Sequence, residues 1–273
     1  FHLLDSFVAS LDIFNLVTVK KRKDKLVSGR LKGMGMDLVP FETTTACKVA
    51  EAFVERFGVS GVDITVYENI PVGAGLGGSS ADAAGIIKAM SKMFGVPIQD
   101  CYGIANEYGS DIRYMLEGGF ARMQGRGEKV ERFEQNKFPK LNFLLLCPQT
   151  QISAGDCYRE YDKLNSQATL KTEQAITACL EGDLEGLGRA LSNHLFEPAK
   201  ALNADVGRAY EELLSFSPLG VAMTGSGSCV FALFENKEFC DWAKSRYKGK
   251  FRAIVARTLE ENNSKTLKNP FVL

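Results

Sequence analysis

Residues 69–84 read N-I-P-V-G-A-G-L-G-G-S-S-A-D-A-A, and no other stretch restricts the fold of this chain so strongly. Glycines at 73, 75, 77 and 78 let the backbone enter positive φ and keep side chains away from an incoming group. Ser79 and Ser80 can cap a helix whose apolar positions Ala83, Ile86, Ile87, Met90 and Phe94 recur at helical spacing. A helix N-terminus presents unpaired N–H groups and a partial positive charge, so the ligand that suits this turn is an anion, above all a phosphate. A plain strand-to-helix turn explains one glycine but not four within six residues.

The rest of the composition narrows the partner. Lys plus Arg and Asp plus Glu number 33 each among 273 residues, which favours neither nucleic acid nor an anionic membrane surface and leaves a small molecule as the expected partner. Apolar residues make up 45% and charged residues 24%, enough for one large core or two modest ones. The seven cysteines are scattered and never form C-x-x-C, as in a reduced cytoplasmic protein. With only His2 and His194 as imidazoles, a zinc site or a His-based triad is poorly supplied, and no metal-ligating side chains are assigned. No apolar run nears the roughly 20 residues of a membrane span. The chain begins at Phe1, not Met, so an upstream segment is expected.

Along the chain, residues 6–19 suggest one or two strands before the solvated basic run 20–23. A helix is expected over 42–57 with Gly58 as its stop, then an alternating strand at 62–67 that leads into the glycine turn. After the Ser79 helix, Pro97 opens another that Gly109 closes, and short strands at 120–124 and 129–133 flank Gly125-Arg126-Gly127. A buried strand is expected at 141–147, mostly helix over 155–217 with breaks near Gly182 and Pro198, then strand, strand, helix and strand. That last order implies a ferredoxin-like second half. The tail 260–273 has no period, and the two α+β lobes are expected to meet between residues 136 and 153.

Familiar phosphate loops can be tested against the turn. A Walker loop requires a lysine where Ser79 stands. The G-x-G-x-x-G of Gly73, Gly75 and Gly78 has the dinucleotide spacing, but the following residues read as helix instead of the second parallel strand that this fold needs.

The segment 71–84 resembles the P-x-x-x-G-L-G-S-S-A-A signature of the GHMP small-molecule kinase superfamily, enlarged by one glycine. Its G-A-G-L-G-G form is most similar to the 4-diphosphocytidyl-2-C-methyl-D-erythritol kinase branch, as are Gly109-Ser110-Asp111, Gly118-Gly119-Phe120-Ala121 and Gly125-Arg126-Gly127-Glu128. Asn193-His194-Leu195, Met223-Thr224-Gly225-Ser226-Gly227 and Phe1-His2-Leu3-Leu4 complete the likeness over nearly the whole chain. The resemblance implies an α+β, GHMP kinase-like two-lobe fold. Residues 1–140 would form an N-terminal, ribosomal-protein-S5-like, ATP-binding lobe, and residues 141–273 a C-terminal, ferredoxin-like substrate lobe.

The activity implied is phosphorylation of an alcohol by ATP with Mg²⁺, the acceptor being a small molecule that carries cytidine diphosphate, in isoprenoid precursor synthesis by a monomer or homodimer. Pro71, Val72, Gly73, Ala74, Gly75, Leu76, Gly77, Gly78, Ser79, Ser80 and Ala81 would hold the triphosphate, with Ser79 or Ser80 offering a hydroxyl to phosphate or Mg²⁺. Asp111 matches the catalytic aspartate, His2 and Tyr158 would meet the cytosine, Arg159 would lie near phosphate, and Gly225 and Gly227 would approach the acceptor side. Plainer roles stay open: a helix cap for Asp111, core packing for Tyr158, a surface place for His2 and a hairpin turn for the two glycines. The family's lysine-bearing first strand would precede Phe1, Glu68 stands where a lysine is expected, and Ala81 alters the usual serine run. Another alcohol as acceptor, or a nucleotide-binding homologue without catalysis, are the alternative functions.

Overall fold

The computed structural model describes residues 2–149, 152–164, 169 and 171–259; Phe1 and the tail 260–273 lie outside the described residues. The first half runs β1 (Leu4–Ala9), β2 (Leu16–Lys21), β3 (Val27–Lys32), α1 (Thr45–Phe57), β4 (Val62–Tyr67), α2 (Gly78–Phe94), α3 (Tyr102–Tyr108), α4 (Ser110–Glu117), β5 (Phe120–Gly125) and β6 (Lys129–Arg132). The second half runs β7 (Asn142–Cys147), α5 (Ala154–Tyr161), α6 (Thr172–Glu181), α7 (Leu184–Ala190), α8 (Phe196–Leu202), α9 (Ala204–Leu214), β8 (Gly220–Met223), β9 (Val230–Phe234), α10 (Lys237–Arg246) and β10 (Arg252–Arg257).

In the first half, β4 is the middle strand of the sheet β2-β4-β3, antiparallel to β2 and parallel to β3. Its alternation sends Val62, Ile64 and Val66 inward, where they meet Ala46, Val49, Ala50 and Phe53 of α1 and Ala83, Ile86, Ile87 and Met90 of α2. Each buried Val, Ile, Met or Phe side chain among them contributes ~1.5–3 kcal/mol relative to exposure. The helices rest on this sheet because their apolar stripes have nowhere else to go. Thr44 caps α1 by accepting from Cys47 N, and Gly58 ends it at φ 63°. Helix α1 thus starts later than expected, because residues 41–43 form a 3₁₀ turn. Strand β3 was not foreseen. Ser28-Gly29-Arg30 breaks its apolar pattern, and Gly29 is required because a Cβ there would sit 2.7 Å from the Phe41 ring. A second antiparallel sheet, β1-β5-β6, carries the Gly125–Gly127 turn.

The second half has the strand order β10-β7-β9-β8 with all neighbours antiparallel, the ferredoxin-like arrangement expected. Strand β7 is buried along its whole length because both its faces are covered. Leu144 and Leu146 pack with Val206, Ala209 and Leu213 of α9, while Phe143, Leu145 and Cys147 pack with Ala178 and Cys179 of α6, Phe120 and Ala74. The glycine turn is therefore seated in a core that reaches both halves. One expected break is corrected: Pro198 lies in the first turn of α8, where its missing N–H has no intrahelical acceptor to serve, and the chain breaks at 191–195 and at Asn203 instead.

Candidate active site

Gly73, Gly75 and Gly77 all take positive φ, at 64°, 72° and 69°. Gly77 is itself the N-terminal residue from which α2 starts, with no side chain capping it. Ser79 and Ser80 are thus first-turn residues, not caps, because the left-handed glycine completes the turn two residues earlier than the serines suggest. Gly78 fits under the Ile70 side chain, which would lie 3.3 Å from a Cβ.

The polarity of this turn is lopsided. Two of its carbonyls are taken by the second half: Ala74 O accepts from Cys229 N at 3.2 Å and Gly75 O from Thr224 Oγ1 at 2.9 Å. Among the described residues, no N–H from Val72 to Gly77 donates to a protein acceptor. What is left is a run of donors without a partner among the described residues, at the positive end of a 17-residue helix. This fits a polyphosphate, which brings acceptors and negative charge.

The turn docks on the loop between β8 and β9, backbone against backbone. A Cβ on Gly75 would meet Thr224 O at 2.1 Å, and one on Gly225 would meet Gly75 O at 2.9 Å. Gly225 and Gly227 take φ of 54° and 84°. Asn193 braces this second loop, donating through Nδ2 to Met223 O and Gly225 O, each at 2.8 Å. Gly227 donates its own N–H to Thr224 O at 2.9 Å, so that donor is already engaged within the loop.

Asp111 stands in the first turn of α4. Gly109, not Asp111, occupies the cap position, and Ser80 Oγ of α2 lies 4.0 Å from the Cβ position of Gly109. The heads of α2 and α4 therefore converge. Burial raises the Asp111 carboxyl above its ordinary value, and it has no hydrogen-bond or ion-pair partner among the described residues. Its charge reaches the Tyr158 phenol on α5, which is raised first by burial and in smaller part by Cys157 and Asp111. Tyr158 is half-buried and stacks on His2 with centroids 4.6 Å apart and an interplanar angle of 17°. His2 Nε2 lies 2.5 Å from Asp162 Oδ1. Asp111 is thus linked to Tyr158, and Tyr158 to His2, with Asp111 on the helix whose head lies beside that of α2. Arg159 is not among them: its side chain is 72% exposed and ion-pairs with Asp156 one turn back on the same helix.

A further group escaped the sequence reading. Asn15, just before β2, accepts through Oδ1 from the N–H of Asn69 at 2.7 Å and of Ile70 at 2.8 Å. Its Nδ2 donates to Glu68 Oε2 and, at 2.9 Å, to Asp82 Oδ1. Asp82 is 4% exposed and is pushed up to about 8, first by burial and then by the Glu68 charge; burial raises Glu68 as well. From the other half, Arg252 Nη2 donates to Asn69 Oδ1 at 3.2 Å. The only available signal was a lone polar residue inside the apolar stretch I-F-N-L-V.

Comparison with known proteins agrees with this arrangement. The family model of the GHMP kinases N terminal domain matches residues 44–121, and that of the GHMP kinases C terminal domain matches residues 175–238. The 4-diphosphocytidyl-2-C-methyl-D-erythritol kinase of Caldicellulosiruptor saccharolyticus is 29% identical over 266 residues, covering 96% of this chain and 90% of the relative. That of Clostridium beijerinckii is 30% identical over 266 residues, covering 95% and 92%. A crystal structure of 4-(cytidine 5'-diphospho)-2C-methyl-D-erythritol kinase shares the fold, with a TM-score of 0.78 and 24% identity over 94% of this chain and 90% of that one. No described helix is long and apolar enough to cross a membrane. With both halves matched in order and the two glycine loops set together, this chain belongs to the GHMP kinases, phosphotransferases of small-molecule alcohols, within the 4-diphosphocytidyl-2-C-methyl-D-erythritol kinase branch.

Proposed function

We propose that this protein transfers the γ-phosphoryl group of ATP to the hydroxyl of 4-diphosphocytidyl-2-C-methyl-D-erythritol, with residues 1–140 binding the donor and residues 141–273 the acceptor. The observation that carries the reading is the turn at 72–77, whose N–H groups have no partner among the described residues while its Ala74 and Gly75 carbonyls are fastened to the second loop. Those donors and the α2 dipole would take the charge of the β- and γ-phosphates, which is the main task in phosphoryl transfer. Residues 71–81 line that cradle.

Asp111 is the proton acceptor in this reading. An anionic carboxylate with no competing partner accepts the acceptor hydroxyl's proton as the oxygen bonds to the γ-phosphorus, and the electron pair of the broken P–O bond leaves with ADP. Burial lifts its affinity for a proton, which suits a base. Among the described residues no three Asp, Glu, His or Cys side chains could cage a metal. Mg²⁺, which neutralises phosphate charge in such transfers, would therefore be held chiefly by the nucleotide. Tyr158 and His2 offer flat faces for a cytosine, which would enter by parting or extending their stack. Gly225 and Gly227 let the acceptor's phosphates approach the backbone, and Arg159 could join only by leaving Asp156. The seven free thiols suit a reducing, cytoplasmic setting.

The test is ADP release from ATP and Mg²⁺ with a panel of alcohols. Turnover with the cytidylyl acceptor and none with homoserine, mevalonate or a sugar is expected. The reverse pattern would overturn the acceptor while keeping the kinase.

A further inference from the structure

We infer that Asn15 is a positioning residue for the donor nucleotide: its amide fixes the entrance of the phosphate turn by joining two backbone N–H groups to the carboxyl pair Glu68 and Asp82. This rests on reading residues 71–81 as the phosphate cradle.

Four hydrogen bonds carry the inference. The Asn15 oxygen accepts from the N–H of Asn69 and Ile70, the two residues that precede Pro71. Its nitrogen donates to Glu68 and Asp82, so all four bonds are met in one orientation of the amide and none would survive its flip. The two acids come from opposite sides of the turn, Glu68 just after β4 and Asp82 in the second turn of α2. Asn15 therefore ties together the strand that enters the turn, the first residues of the turn and the helix that leaves it. A side chain that merely filled space would not need both ends of an amide.

The neighbouring groups leave Asn15 without a substitute. Burial favours the neutral form of Asp82, and as a neutral acid it donates to the Glu68 carboxylate, which is how two acids coexist there. Arg252, a cation at the turn entrance, bonds the side chain of Asn69 and leaves the backbone N–H to Asn15. Glu68 N is also engaged, donating to Lys32 O at 2.7 Å. If Asn15 is lost, two N–H groups lose their acceptor and the acid pair loses its donor. The turn is then free to shift relative to α2, and its unpartnered N–H groups are no longer held in place for a phosphate.

The experiment measures binding of Mg²⁺ with a non-hydrolysable ATP analogue by calorimetry, together with amide hydrogen exchange at residues 69 and 70. Asn15→Ala removes all four bonds. Asn15→Asp keeps the acceptor but sets a third acid beside the pair. Asn15→Asp with Glu68→Gln exchanges donor and acceptor across the contact and restores the original charge. We expect Asn15→Ala and Asn15→Asp each to bind about tenfold more weakly with faster local exchange, and the double variant to return to within about threefold of the unaltered protein. Unchanged binding in Asn15→Ala, or a double variant as weak as Asn15→Asp, overturns the inference. Absence of analogue binding by the unaltered protein overturns the phosphate-cradle reading itself, and the inference with it.

Discussion

Asp82 and Asp111 invite comparison, since each sits near the start of a helix, in the converging pair α2 and α4, and each has its carboxyl raised by burial. They differ in company. Asp82 receives the Asn15 amide and shares its place with Glu68, so its polar atoms are answered within the protein. Asp111 has no such partner among the described residues and lies where a Tyr158 phenol feels its charge. Leaving a partly buried carboxyl unanswered is costly, which is why a role toward a group brought from outside is proposed for it. Burial thus goes with an answered carboxyl at one position and, at the other, with the one to which a chemical role is proposed.

The sharpest way to break this comparison is at Asp111. Asp111→Asn should lower kcat by about 10²–10⁴-fold with little change in ATP-analogue binding, because only the proton acceptor is removed. An equal loss on both measures would make Asp111 another structural acid. Gly75→Ala comes next: its Cβ would collide with Thr224 O at 2.1 Å from a positive-φ position. A loss of at least ~2 kcal/mol in denaturant unfolding and a collapse of analogue binding are expected.

For Asp82 the effect is a slope against pH. Its folded-state value, about 8, exceeds the ordinary 3.8, so the folded protein holds a proton that the unfolded chain releases between these values. Its contribution to stability therefore falls as pH rises from about 4 to about 8, and is flat beyond. Asp82→Asn removes that slope while keeping a donor toward Glu68, so the melting temperature of the variant should gain on the unaltered protein from pH 5 to pH 8. A constant difference would mean that Asp82 is not held neutral. The smallest effect is that of Thr224→Val, which deletes the bond to Gly75 O and should cost ~1 kcal/mol, read as a fall in denaturant midpoint.

The sequence disclosed those parts of the fold and site that depend on local geometry. Glycine at 73, 75 and 77 is legible because few other residues tolerate the φ required, and the alternation of β4 or the unbroken apolar run of β7 follows from burial on one face or two. What stayed hidden depends on distant neighbours. Gly29 makes sense only under Phe41, and Asn15 only beside partners more than 50 residues away. Ser79 and Ser80 have the right chemistry to cap a helix, yet a left-handed Gly77 pre-empts them. Arg159 has the right charge for a phosphate, but Asp156 lies nearer on its own helix.

The contact between Gly75 and Thr224–Gly225 bears on how such a protein can diverge. Because neither loop tolerates a side chain at the crossing, each half of the molecule is the mould against which the other is cast. A hybrid that joins the first half of one relative to the second half of another inherits its two facing loops from different lineages. It should stay active only where the two parents share the bare backbone at this crossing, so the seam between the loops, more than the linker between the halves, sets which exchanges are viable.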